Sequence, residues 1–196
     1  MMSTTLNEAA TMIFIGPSID VAPCLGGLFP DSADTVVRQV CCSADKPALI
    51  EEIVALIGEK DPAHALLAQK AALMVDEMLE NALYAAPRAA DGTVLYPQRE
   101  PRSLLPDEQI TIRYRYDGSH LFLEVRDSWG SLSQSKVFSY LAINTQETDP
   151  DPDRTGRGLF FMWRLFDHLY VRIYTGRETV VGGSLLLQPV REVNNG

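Results

Sequence analysis

The sequence is poor in cysteine, in basic residues and in long apolar runs. Its three cysteines, Cys24, Cys41 and Cys42, are odd in number and form no Cys-x-x-Cys pair. Neither a disulfide framework nor a zinc site is indicated, and the three read as small hydrophobes in a reducing compartment. No stretch approaches the ~18 consecutive apolar residues of a membrane span. Met1 to Ala10 has no basic segment, and Met12–Ile15 is too short for the apolar core of a secretory signal. A cytoplasmic protein without a membrane partner is therefore the expectation. Lys and Arg number 17 against 26 Asp and Glu, a formal charge of −9. That deficit of base argues against a nucleic-acid binder and against a binder of anionic membranes. Internal repeats and low-complexity tracts are also missing.

What is present is an ordinary globular composition: 196 residues, 46% hydrophobic and 22% charged, suited to one domain with one sizeable core. The acid is concentrated at the start. Residues 1–85 carry 12 acidic against 4 basic residues, 86–150 carry 9 against 7, and 151–196 carry 5 against 6.

Residues 1–34 are rich in Pro and Gly and resist assignment, apart from a short strand over Met12–Ile15. Thr35–Cys42 is β-branched and reads as a strand. Asp45 or Ser43 is then expected to cap a helix with Pro47 in its first turn, apolar at Leu49, Ile50, Ile53, Val54 and Ile57 and ended by Gly58. A longer helix is predicted from Pro62 to Ala85, with a stripe of Leu66, Leu73, Leu79, Ala82 and Leu83. Residues 86–108 hold four prolines and Gly92 and read as an inserted loop. Ile110–Tyr116 and Leu121–Val125 alternate around Asp117-Gly118, a hairpin signal. Ser133 caps a helix over Lys136–Ile143, Asn144–Thr155 is a polar loop, and Leu159–Phe166 is a helix apolar nearly all round. Leu169–Tyr174 and Gly183–Gln188 complete the pattern as strands. The order predicts an α+β two-layer sandwich: a mixed, mainly antiparallel sheet with helices on one face.

Four short stretches are able to carry chemistry. Glu77 and Asn81 lie four apart on one helix face, where a carboxylate orients a nucleophile and an amide oxygen ligates a hard cation such as Mg²⁺. The plainer reading is a solvated polar face. Asp127 closes a strand before Ser128-Trp129-Gly130, placed to accept a hydrogen bond from an amino group such as that of adenine, or simply to form an Asx turn. Gly156-Arg157-Gly158 precedes a helix, leaving backbone N–H groups for an anion, or merely a supple helix entry. Gly182-Gly183-Ser184 is read as opening the last strand, with Ser184 facing a ligand or only a hairpin turn.

Each stretch is weak alone, but their order is specific. A Glu-xxx-Asn helix, a hairpin ending in Asp, a Gly-x-Gly before a helix and a Gly-rich last strand together resemble the GHKL, or Bergerat-fold, ATPases. The likeness runs from about Thr35 to Pro189 and is strongest in GRGLFFMWRLFDHLYVRI and DEMLENALYAA. It is closest to anti-sigma-factor serine/threonine kinases and to histidine-kinase-like ATPase domains. The resemblance implies a domain over 35–190 between an unassigned 1–34 extension and a 191–196 tail, with an ATP lid over 144–157. It implies ATP and Mg²⁺ as cofactors. Glu77 matches the acid acting on the attacking group, Asn81 the Mg²⁺ ligand and Asp127 the adenine-reading carboxylate. Gly156 and Gly158 match the lid glycines at the phosphates, with Arg157 between them, and Ser184 matches a family Thr near the adenine.

One box departs from the family. Its pattern is D-x-G-x-G, but Trp129 and Ser131 stand where the two glycines belong, with Gly130 out of step. Trp129 either stacks on the base or fills its pocket. Two principal functions follow. The first is an anti-sigma-like regulator that binds Mg·ATP, with Gly130 beside the adenine, and phosphorylates a serine on a partner antagonist; its protein partner is a sigma factor or an anti-anti-sigma-type antagonist, and the resemblance also implies a homodimer. The second is a non-catalytic binding module with Trp129 as plug. A third, the ATPase half of a signalling kinase, lacks a phosphoacceptor helix. On the family reading, Asp76, Glu77 and Glu80 beside Asn81 are expected to form a cation-binding wall.

Overall fold

The computed structural model describes residues 10–15, 33–58, 60–141 and 157–188. Among them are six strands and four α-helices. The strands are β1 (Thr11–Ile15), β2 (Val36–Val40), β3 (Ile110–Tyr116), β4 (His120–Asp127), β5 (His168–Tyr174) and β6 (Glu178–Leu186). The helices are α1 (Asp45–Ile57), α2 (Pro62–Glu80), α3 (Gln134–Leu141) and α4 (Arg157–Leu165). One sheet runs in the order β1-β5-β6-β4-β3-β2. Every neighbouring pair is antiparallel, which corrects the expected mixed sheet. The strand at 11–15 is the edge strand beside β5, so part of the segment set aside as an extension belongs to the sheet.

Alternation along the strands makes one face apolar. Ile112, Val125, Val181 and Val171 form one row across four strands, and Ile13 and Val40 extend that face to its edges. Helices α1, α2 and α4 cover it, while α3 leans on α4. The result is an α+β fold of two layers. No helix among the described residues is long and apolar enough to cross a membrane.

Helix α1 buries Leu49, Ile53 and Ile57 and ends at Gly58, whose φ of 73° suits glycine. Neither expected cap acts as one. The residue before the helix is Ala44. Asp45 turns back to accept from Cys41 and Cys42 N–H, and Ser43 Oγ accepts from Arg102 N–H. Helix α2 is capped by Asp61, whose carboxylate accepts from Ala63 and His64 N–H. Its buried stripe is Leu67, Ala68, Ala71, Met74, Val75, Met78 and Leu79. Of the predicted stripe, Leu79, Ala82 and Leu83 are buried, whereas Leu66 and Leu73 are exposed. The last turn, Asn81–Ala85, is π-helical, with Ala86 N–H bonded to Asn81 C=O at 2.8 Å.

Ser133 Oγ accepts from Lys136 N–H, as expected for the start of α3. Helix α4 is amphipathic rather than apolar all round. It buries Leu159 and Met162 and leaves Phe161 exposed, with Trp163 half-buried. Strand β6 begins at Glu178, five residues before its predicted start, because the β5–β6 turn at Gly176 is tight.

Candidate functional site

A cleft partly open to solvent lies between the helices and the end of the sheet. Its walls come from three directions. The α2 end and the π-turn contribute Met78, Asn81, Ala82 and Ala85, the sheet contributes Val125, Asp127, Thr179 and Val181, and α3 and α4 contribute Lys136, Tyr140, Leu159 and Met162. Ala86 and Arg88 from the insert and Ser131 and Leu132 after β4 complete the lining. Most of the surface is therefore apolar, with a few polar groups converging on it.

Asp127 is at the sheet end. It pairs with Ile110 on β3 and Thr179 on β6, and its side chain faces the helices. Only 6% of the residue is exposed. Burial pushes its carboxyl up to about 7, against the N–H groups of Trp129, Gly130 and Thr179, which favour the charged form. Trp129 N–H donates to Oδ1 at 2.9 Å. Beside it, the Thr179 hydroxyl is buried and has no hydrogen-bond partner among the described residues. An orphaned hydroxyl next to a buried carboxyl, both lining a cleft, is a pair that a ligand would satisfy.

Asn81 lines the same cleft. Glu77, one turn earlier, meets it at the start of α4. A Cβ placed on Gly158 would lie 2.6 Å from Glu77 Oε2 and 2.8 Å from Asn81 Nδ2. Only glycine lets the N-terminal turn of α4 come this close to both side chains. Glu77, Asn81 and Gly158, widely separated in sequence, are thus brought together, and Asn81 and Asp127 share one cleft.

Other expected residues fall elsewhere. Gly130 has φ 56°, and a Cβ there would meet Tyr174 O, Arg177 N and Gly176 N at 2.2–2.7 Å. It locks the loop after β4 onto the β5–β6 turn, with Gly176 N–H bonded to Gly130 O at 2.9 Å, and is not a lining residue. Ser184 is a correction. It pairs with Phe122 and His168, five residues along β6 from Thr179. Strand alternation also turns it to the sheet face away from the helices, where its Oγ is 3.2 Å from His168 Nδ1. Placing the start of β6 too late made a mid-strand serine look like a strand-opening one. Thr179, at the true start, was missed for the same reason. Gly156 and the lid loop lie outside the described residues; Arg157 begins α4.

Asp76 and Glu80 do not form a wall with Asn81. Both pair with Lys46 of α1, each at 2.9 Å. No group of three or more His, Cys, Asp or Glu able to hold a metal ion occurs among the described residues. Trp129 is likewise not among the lining residues. Its ring lies 5.9 Å from the Arg102 guanidinium, and its indole N–H is buried without a partner among the described residues.

Fold and cleft together define a two-layer α+β protein with a mostly apolar, polar-tipped cleft. No protein-family model matches the chain, and no curated protein sequence matches it.

Proposed function

We propose that the cleft binds Mg·ATP in the Bergerat manner, and that the chain is an anti-sigma-like regulator that phosphorylates a serine on a protein partner. The observation that carries this reading is the meeting of Asn81 and Asp127 in one cleft, in the arrangement the family resemblance assigns to metal and adenine. Asp127 accepts from the adenine amino group, and the Thr179 hydroxyl gains the partner it lacks. The apolar walls at Met78, Val125 and Met162 take the base. Asn81 offers an amide oxygen to Mg²⁺, and the N–H groups of the first α4 turn face the phosphates. Glu77 orients the attacking hydroxyl, so that catalysis is chiefly positioning and charge neutralisation. Trp129 stands outside the cleft wall, which favours this reading over a plugged, non-binding module.

Calorimetric titration of the wild type, Asn81→Ala and Asp127→Ala with Mg·ATP tests the proposal. Binding by the wild type and its loss in both variants is the expected result. No binding by the wild type at millimolar ATP would sink the nucleotide reading and leave a partner-binding module. Transfer of the γ-phosphoryl group to a partner serine is then measured directly, with Glu77→Gln expected to bind ATP but not transfer.

A further inference from the structure

The insert 86–108 meets the site at Arg88, which lines the cleft, and holds the π-turn through Tyr84 OH, which donates to Glu100 C=O, and through Arg102. Arg102 is buried, and its guanidinium donates to the carbonyl of Leu83 inside the π-turn. A widened turn leaves carbonyls without their usual helical partners, so this donor completes the turn that presents Asn81, two residues away. The same guanidinium lies 3.7 Å over the Tyr96 ring and 5.9 Å from that of Trp129. Trp129 in turn gives its backbone N–H to Asp127, two residues away, at 2.9 Å. Glu108 holds the guanidinium from a further side. Its Oε2 is 2.6 Å from Arg102 Nη2, and its Oε1 accepts from Tyr96 OH at 2.9 Å. The Arg102 backbone is pinned as well, through paired bonds with Ser43 of 2.8 and 2.9 Å.

We propose that Arg102 is a positioning residue that clamps the Asn81-bearing turn to the Asp127-bearing loop, with Trp129 as its cation–π partner. Trp129 then stands where the family pattern has glycine because the insert supplies a cation within cation–π reach of its ring. A lysine would not serve, since an ammonium has no flat face to lay on the Tyr96 ring while donating sideways to the Leu83 carbonyl. The functional consequence rests on the Mg·ATP reading; the clamp itself does not.

The test is built in two parts for that reason. In a Trp163→Phe background, Trp129 is the only tryptophan of the two in the chain. Its emission, and hydrogen exchange at amides 82–86, are measured without nucleotide for Arg102, Arg102→Lys and Arg102→Met. Both substitutions are expected to change the Trp129 emission and to speed exchange at 82–86 by about tenfold or more relative to α1. Unchanged emission and unchanged exchange in Arg102→Lys overturn the clamp. Should the Arg102 variants fail to fold, Trp129→Phe and Trp129→Leu take their place. Phe keeps the aromatic face and preserves slow exchange at 82–86, whereas Leu speeds it. Equal exchange in the two overturns the proposal, because a local packing role for Trp129 would not reach a turn on another element. Mg·ATP affinity is then expected to fall about tenfold or more in Arg102→Lys. Failure of the wild type to bind ATP defeats the nucleotide reading alone, while emission and exchange still decide the clamp.

Discussion

Asp127, to which the proposed function assigns the adenine, is buried. Its carboxyl is pushed up to about 7 in the folded chain by loss of water. In the unfolded chain it releases its proton near 3.9. Between those values the native state binds a proton that the unfolded state has lost, so stability falls as pH rises through the window. The loss is of order 4 kcal/mol, and the contribution is fully present only below the unfolded value. Asp127→Asn is expected to flatten this dependence, so that denaturant titrations at pH 5 and 8 differ less for the variant than for the wild type. The ionised carboxylate is the better acceptor for an amine, so Mg·ATP affinity should rise between pH 6 and 8 with proton release on binding. Calorimetry in buffers of different ionisation enthalpy reads that release. Two glycines give opposite expectations. Gly130→Ala forces a Cβ into backbone atoms at 2.2–2.7 Å with φ 56°, and should cost about 3 kcal/mol or more in unfolding free energy. Gly158→Ala meets only side-chain ends, those of Glu77 and Asn81. It should leave stability within ~1 kcal/mol yet weaken Mg·ATP binding about tenfold by displacing both groups.

Among the elements, helix α2 carries the most consequence. It buries one stripe under α1 and over the sheet, and turns another toward the cleft. Lys46 joins α1 to α2 through Asp76 and Glu80. Burial pulls its ammonium down, but the two carboxylates outweigh it and hold the lysine above its ordinary value. Lys46→Met should destabilise the fold by about 1 kcal/mol, since the pairs are only partly shielded and two acids are left without their cation. Chemical denaturation measures the difference. The sequence made the existence of every described helix legible, and of the hairpin at Asp117-Gly118. Phase and bounds were harder. In α2, residue type alone points to the leucines at 66 and 73 as core, whereas the alanines at 68 and 71 are the buried residues. Glycines at 182 and 183 read locally as a turn, although β6 runs through both. They are instead the seat of other side chains: a Cβ on Gly182 would strike the Tyr170 ring at 2.4 Å, and one on Gly183 would strike His168 O at 2.4 Å. Tyr170 crosses that gap to reach Glu124 at 2.5 Å.

At the scale of the molecule, β1 closes the sheet beside β5 and places Ile13 in the core. A chain beginning at residue 33 would lose that contact and bare the hydrogen-bonding edge of β5. It is expected to melt several degrees lower and to aggregate on heating, as scattering during a thermal scan would show. Mg·ATP at one hundred times its Kd should stabilise the full chain by about 2.7 kcal/mol, and no shift in melting temperature at saturating nucleotide would count against the site. The uneven charge acquires a different meaning as well. Part of the early acid, Asp76 and Glu80, pairs with Lys46 across α1 and α2 and does not form the expected metal-binding wall. The sequence by itself determined the α+β class, the helix bearing Glu77 and Asn81 and the strand end bearing Asp127, because spacing and alternation are properties of the local chain. Only the tertiary structure decided that Asn81 shares a cleft with Asp127 and Thr179, that Gly158 seats α4 on Glu77, and that Trp129 turns toward Arg102. Those outcomes depend on register and on the packing of segments far apart in sequence, and no local pattern carries either.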